Sequence, residues 1–167
     1  MTTDLKVHVG CGNTYLNGWF NCDVQPPSRG GKIDQLCDAR QIPLPDESAS
    51  VVMACHVIEH FARYEAPHVL AEWRRILKKG GLLILELPNL EDACRNLLAG
   101  KADNMSLWPI YGDWNHEDPH MLHKHGYTPG SIQSLLEECG FTNIKRVAPQ
   151  THGRKLDRDM RIEAIKK

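Results

Sequence analysis

The stretch LKVHVGCGNTYLNGWFNCD, residues 5–23, decides how the chain is read. Leu5, Val7 and Val9 form a short apolar run that Gly10 and Gly12 break abruptly. That pattern predicts a buried strand ending in a turn where the backbone comes close to something. Glycine suits such a turn because it has no side chain and tolerates positive φ. A second short strand, Trp19 to Cys22, ends in the carboxylate of Asp23. A glycine turn after one strand and an acid at the tip of the next can together hold a ribose at the carboxyl ends of an open parallel sheet.

Spacing narrows the ligand. A dinucleotide fingerprint needs Gly-x-Gly-x-x-Gly, a helix behind it and an acid about 20 residues further on. Here Tyr15 stands where the third glycine belongs, and Asp23 comes eleven positions after Gly12. Residues Asn13 to Gly18 leave no room for a full crossover helix. A pyrophosphate would therefore lack the helix N-terminus whose amides and dipole normally hold it. A nucleoside without phosphates loses nothing.

The chain of 167 residues fits one domain, 1–167, able to bury a substantial core. Its apolar fraction of 41% and charged fraction of 25% are ordinary for a globular protein. No apolar run approaches a membrane span, and Met1 to Lys6 is no signal peptide. Six cysteines without CxxC pairs, most of them inside apolar runs, predict buried thiols in a cytoplasmic protein rather than disulfides or a zinc knuckle. A net charge of −1 gives no field to attract nucleic acid. The basic group Arg154, Lys155, Arg158 and Arg161 reads as a solvated loop.

Further along, Ile33 to Leu36 reads as a short strand before Asp38-Ala39-Arg40. The Asp38 carboxylate can accept from an adenine amino group or simply cap a loop. Val51 to Cys55 is a continuous apolar strand running into His56-Val-Ile-Glu-His60. A helix is predicted from Tyr64 to Lys79, with Val69, Leu70, Trp73, Ile76 and Leu77 on one face and Gly80 as its left-handed cap. Leu82 to Leu87 is a strand, and Asn89 caps a helix to Leu98 with a stripe of Leu90, Ala93, Cys94, Leu97 and Leu98. Residues 101–127 lack periodicity and carry Trp108, Tyr111, Trp114 and four histidines, the profile of a lid or binding loop. A helix from Thr128-Pro129 to Gly140, then strands Phe141 to Val147 and Met160 to Ile165, close the chain. The link Pro149 to Arg158 is polar and reads as mobile.

Together these elements resemble the class I S-adenosylmethionine-dependent methyltransferases, in particular a small type 11-like group whose first motif runs straight into the second strand. The resemblance covers Lys6 to Val147. It rests on Val-Gly-Cys-Gly-Asn at 9–13, Gly-Trp-Phe-Asn-Cys-Asp at 18–23, Asp-Ala-Arg-Gln-Ile-Pro-Leu-Pro-Asp-Glu-Ser at 38–48 and Cys-His-Val-Ile-Glu-His-Phe at 55–61. Trp-Arg-Arg-Ile-Leu-Lys-Lys-Gly-Gly-Leu-Leu at 73–83 and Leu-Leu-Glu-Glu-Cys-Gly-Phe at 135–141 continue it. It implies an α/β fold: a Rossmann-like three-layer sandwich around a mostly parallel seven-stranded sheet with one antiparallel strand and helices on both faces. It implies S-adenosyl-L-methionine as cofactor. Gly10, Cys11, Gly12 and Asn13 would line its methionine and ribose, Asp23 would bind the ribose hydroxyls, Asp38 and Ala39 would meet adenine, and His56 with Val57 would lie beside the methionine.

Methyl transfer from a sulfonium is an in-line displacement, so positioning supplies much of the rate. A hydroxyl or amine acceptor must also lose a proton, work suited to a histidine or carboxylate. His60 and His125 are the favoured bases, and Glu59, Trp108, Tyr111 and His116 the candidate acceptor contacts. Glu59 and His60 can equally be a first helical turn, and the aromatics can merely cover the sheet edge. The lid histidines, spaced His-x3-His-x2-His-x-His, match no standard zinc pattern, so no metal is assigned. The expected activity is transfer of a methyl group to an O or N atom of a small-molecule or glycan-like acceptor, without nucleic acid or membrane. A homo-oligomer or a protein partner stays open. The rival readings are a non-catalytic cofactor-binding module serving a partner, and a nucleotide-sugar or nicotinamide enzyme, which the broken glycine spacing disfavours.

Overall fold

A computed structural model of the chain describes residues 4–28, 30–151 and 156–167. Seven strands form one sheet: β1 (Leu5–Val9), β2 (Phe20–Asp23), β3 (Gln35–Leu36), β4 (Ala49–Cys55), β5 (Leu77–Pro88), β6 (Phe141–Val147) and β7 (Asp159–Lys166). Their order is β3-β2-β1-β4-β5-β7-β6. β1, β2, β3, β4 and β5 run parallel, while β7 is antiparallel to both β5 and β6. The α/β class and the mostly parallel seven-stranded sheet are as expected.

Among the described residues, four α-helices lie after β4: α1 (Ala66–Ile76), α2 (Leu90–Leu98), α3 (Leu107–Tyr111) and α4 (Pro129–Glu138). Val69, Leu70 and Trp73 of α1 and Ile132, Leu135 and Leu136 of α4 share one core with Val7, Val9, Val52, Ala54, Leu83, Leu85, Ile162 and Ala164. Those strand residues alternate, so they lie on one face of the sheet. The other face presents His8, Asn21, Met53, Cys55, Ile84, Glu86 and Arg161, all buried. No helix joins β1 to β2, β2 to β3 or β3 to β4 among the described residues, so the chain crosses there through connections alone. Asn21, fully buried, holds the first of these connections: its side chain bonds the Leu16 N–H (2.9 Å) and the carbonyls of Leu16 (3.0 Å) and Trp19 (2.8 Å).

Three features differ from expectation. Helix α1 stops at Ile76, because Leu77 turns extended (ψ 137°) to pair with Ala49. Lys78, Lys79 and Gly80 therefore open strand β5 instead of ending a helix. Within α2 only Ala93 and Asn96 are buried, whereas Cys94, Leu97 and Leu98 face out, Leu98 with 89% of its surface exposed. The segment 101–127 holds structure of its own, namely α3 and a 3-10 turn at Pro119–Met121. Gly112 (φ +79°) pairs with Leu122 between them, and a Cβ there would stand 2.2 Å from the Met121 carbonyl.

The basic group is no solvated loop where it is described. Arg158 pairs through two nitrogens with Asp159, at 2.7 and 2.6 Å, and Arg161 bonds Glu86 at 3.0 Å and Glu163 at 2.8 Å. Both guanidiniums are buried, as paired charges can be. Arg154 and Lys155 lie outside the described residues. Of the polar link before them, Gln150 and Thr151 are fixed by backbone bonds to Glu86. No helix among the described residues is long and apolar enough to cross a membrane.

Candidate active site

The loops that follow β1, β2, β4 and β5 converge at the carboxyl edge of the sheet. Gly10 turns there with φ +65°, and a Cβ at this position would lie 2.3 Å from the Val57 side chain. The turn thus packs directly against the segment after β4. Two residues on, the Gly12 N–H donates to Asp23 Oδ2 at 2.8 Å, and the Gln25 N–H donates to Oδ1 at 3.0 Å. Cys11, buried, bonds back to the Cys22 carbonyl at 3.1 Å, and Asn13 donates to Ser28 at 3.1 Å. The acid and the glycine turn therefore form one clasp. A carboxylate offers about four lone-pair sites, so Asp23 keeps acceptors for vicinal hydroxyls. A Cβ on Gly12 would meet nothing within 4 Å, which leaves open space above the clasp. The residues fit an adenosyl ligand.

Asp38 is already engaged. Its carboxylate takes three bonds from Arg40 at 2.7–3.0 Å, and that guanidinium, which also reaches Glu65 at 2.9 Å, holds Asp38 below the usual carboxylate range. Ala39 gives its carbonyl to the Trp73 indole N–H at 3.0 Å. The structure shows both residues in stabilising roles beside β3.

After β4 the chain makes a 3-10 turn, Ile58–His60, entered through His56 with φ +54°. His56 Nδ1 lies 3.0 Å from Glu59 and Nε2 lies 3.5 Å from Asp159. Burial would lower the His56 pKa, but the two flanking carboxylates outweigh it and raise it to about 9. Burial likewise pushes the Glu59 carboxyl up, and its histidine neighbours reverse that, leaving it below its ordinary value. His60 Nδ1 contacts the Leu122 carbonyl at 3.0 Å, and His123 Nδ1 contacts that of Pro109 at 3.1 Å. The two rings meet edge to face, 4.8 Å between centroids. The Lys124 and His125 N–H groups both donate to the Glu59 carbonyl, and the His125 ring stacks edgewise on Tyr127 at 4.7 Å. Burial lowers the His125 pKa, which favours the uncharged ring.

Segment 101–127 thus docks on the turn after β4. Leu107, Tyr111, Trp114, Leu122 and His123 line an open hollow of about 320 Å³. Trp108 and Trp114 meet edge to face at 6.2 Å, with Tyr111 exposed beside them. A larger hollow of about 520 Å³, between β3 and α1, lies away from this chemistry. His116 is exposed, and its ring accepts from the Asp118 N–H at 3.1 Å within its own loop. Asp118 in turn accepts from the Gln25 side chain at 2.8 Å, which joins the loop to the residue two positions past Asp23. Sequence reasoning missed Gln25, Asp118 and Asp159. Each meets its partner across a long sequence gap that no local motif spans.

Comparison with known proteins agrees with this geometry. Residues 7–85, somewhat under half of the chain, match the family model "Methyltransferase domain". No curated protein matches the sequence. Among solved structures, a SAM-dependent methyltransferase from Archaeoglobus fulgidus is similar with TM-score 0.66 and 16% identity, over 98% of this chain and 86% of that one. The 1,6-didemethyltoxoflavin-N1-methyltransferase of Burkholderia thailandensis, solved with its substrate and S-adenosylhomocysteine, is similar with TM-score 0.68 and 13% identity, over 98% and 71%. A Haloferax volcanii methyltransferase in complex with the Trm112 activator scores 0.65 at 14% identity, over 98% and 82%. Residues 7–85 thus resemble the methyltransferase domain family, and the whole chain shares the fold of solved SAM-dependent methyltransferases.

Proposed function

We propose that this methyltransferase moves the methyl group of S-adenosylmethionine to an O or N atom of a small-molecule or glycan-like acceptor, held between the turn after β4 and the lid 101–127. The cofactor, when bound, supplies a methyl carbon on a sulfonium that is already a good leaving group. Gly10, Cys11, Gly12 and Asn13 line its methionine and ribose, and Asp23 receives the ribose hydroxyls. Asp38 and Ala39 border adenine, and His56 with Val57 flanks the methionine. The observation that carries this reading is the Gly12–Asp23 bond, a carboxylate preset against the turn at the carboxyl edge. Holding the acceptor in line is the main work left to the protein. His60 and His125 are the candidate bases, with Glu59, Trp108, Tyr111 and His116 as acceptor contacts.

The whole chain acts as a single domain in the cytoplasm, a placement supported by six cysteines that include no CxxC pair. A protein partner fits the precedent of the Trm112 complex. Titration calorimetry with S-adenosylhomocysteine and with NAD tests the cofactor assignment: saturable binding of the first alone supports it, and preference for NAD overturns it. A panel of hydroxyl and amine acceptors with labelled cofactor then identifies the methylated atom.

A further inference from the structure

The cluster at the floor of the lid carries more than a base. Glu59 is 1% exposed, yet its Oε2 has no hydrogen-bond partner among the described residues. An unpartnered buried carboxylate oxygen is costly and calls for an unseen partner. Around it, the ligand atoms of Glu59, His60 and His123 all lie within 4.8 Å of one another, with His123 Nε2 4.0 Å from Glu59 Oε1. Both rings place Nδ1 against a backbone carbonyl, Leu122 for His60 and Pro109 for His123. An Nδ1–H donated to a carbonyl fixes the tautomer and leaves the Nε2 lone pair for a metal, the outer-shell support usual for ligating histidines. His56 holds the other Glu59 oxygen at 3.0 Å, which fixes the carboxylate in turn.

From this arrangement we infer a divalent transition-metal site formed by Glu59, His60 and His123, which draws a hydroxyl acceptor into the hollow beneath the lid. Two imidazoles and one carboxylate make a three-ligand set that leaves a coordination position open, as catalytic zinc sites do. Metal–ligand bonds of about 2.0–2.2 Å need ligand atoms roughly 3–4 Å apart, so small side-chain rotations close the cluster. His123 also lines the apolar hollow with Tyr111 and Trp114, so an ion held there adjoins a pocket suited to a ring-bearing acceptor. The inference rests on the methyltransferase reading and narrows its acceptor to an alcohol or phenol. The acceptor O–H, made more acidic by the ion, gives its proton to water. The oxygen pair then forms the C–O bond to the methyl carbon as the C–S bond breaks, its electrons leaving on the sulfur of S-adenosylhomocysteine.

No local motif marks this set, because its ligands come from two segments, 59–60 and 123, and the lid histidines alone have the wrong spacing. The test is Co²⁺ titration of the chelator-stripped protein, read by visible d–d bands and by equilibrium dialysis. Saturation at one equivalent without thiolate charge-transfer bands is expected. His123→Ala and His60→Ala should weaken uptake by at least the ~10–100-fold that loss of an outer-shell partner costs. His68→Ala, on the exposed side of α1, should leave it unchanged. Glu59→Gln is scored only alongside its circular dichroism, since the residue is buried, and the two histidine variants stand if it unfolds. No saturable uptake, uptake indifferent to both histidine variants, or thiolate bands would overturn the site. Calorimetry with S-adenosylhomocysteine runs in parallel. His123→Ala should keep that affinity, and Co²⁺ uptake without it would sink the cofactor reading while sustaining the metal site. Added Zn²⁺ should raise transfer to phenols over the stripped protein and do nothing for amines, and the reverse pattern would overturn the acceptor class.

Discussion

Gly10 and Asp23 lie only thirteen positions apart, and together they shape the proposed nucleoside site. Gly10 sits at φ +65° with Val57 directly above, so a single added methyl meets both a strained backbone and an occupied space. Gly10→Ala should destabilise the protein by about 1–3 kcal/mol, the usual penalty of forced overpacking, measured by urea denaturation. The double change Gly10→Ala, Val57→Ala should recover part of that loss, because it removes the clash but not the positive φ. Asp23 bonds two backbone N–H groups and keeps acceptors for a ribose. Asp23→Ala should weaken S-adenosylhomocysteine binding by about 1–3 kcal/mol, the cost of leaving polar partners unpaired. An unchanged dissociation constant would remove Asp23 from the site.

At the scale of the element, α2 separates pattern from packing. Its apolar residues mark a stripe, yet Leu97 and Leu98 face solvent and the buried positions are Ala93 and Asn96. Leu98→Gln should therefore change stability by no more than about 0.5 kcal/mol. Ala93→Leu should cost about 1–3 kcal/mol through overpacking. The reason α2 misled is visible in Asn96, which bonds the carbonyls of Met105 and Asp157 at 2.9 and 2.8 Å. A polar core contact set by two distant loops has no signature in helical periodicity. The strands were legible, by contrast, because a short apolar run between glycines and prolines means the same thing wherever it lies. So was α4, whose Thr128–Ser131 capping box and buried Ile132, Leu135 and Leu136 follow local rules. The clasp at Gly12 and Asp23 was legible for the same reason, since its two halves are neighbours in sequence. Asp159 beside His56 and Asp118 beside Gln25 were not, because the fold alone brings them together.

At the scale of the whole molecule, one seam of buried charge lies where Glu86 joins β5 to β7 and to the link before it. Its carboxylate accepts from the Gln150 and Thr151 N–H groups, the Thr151 hydroxyl and Arg161. Burial pushes the Glu86 carboxyl up, but these donors outweigh it and hold the group below its ordinary value. A depressed folded pKa stabilises the fold above the unfolded value of about 4.3. That contribution is lost as pH falls through the folded value. Glu86→Gln should thus cost about 1–3 kcal/mol at pH 7, and the gap to wild type should narrow toward pH 3 in denaturant titrations. The bond between Gln25 and Asp118 reaches further, since it ties the segment after Asp23 to the segment 101–127. Where the proposed cofactor and acceptor couple through this bond, reciprocity requires each to tighten the other by the same factor. Gln25→Ala should uncouple the two, read as loss of the protection from limited proteolysis that S-adenosylhomocysteine confers on residues 113–122.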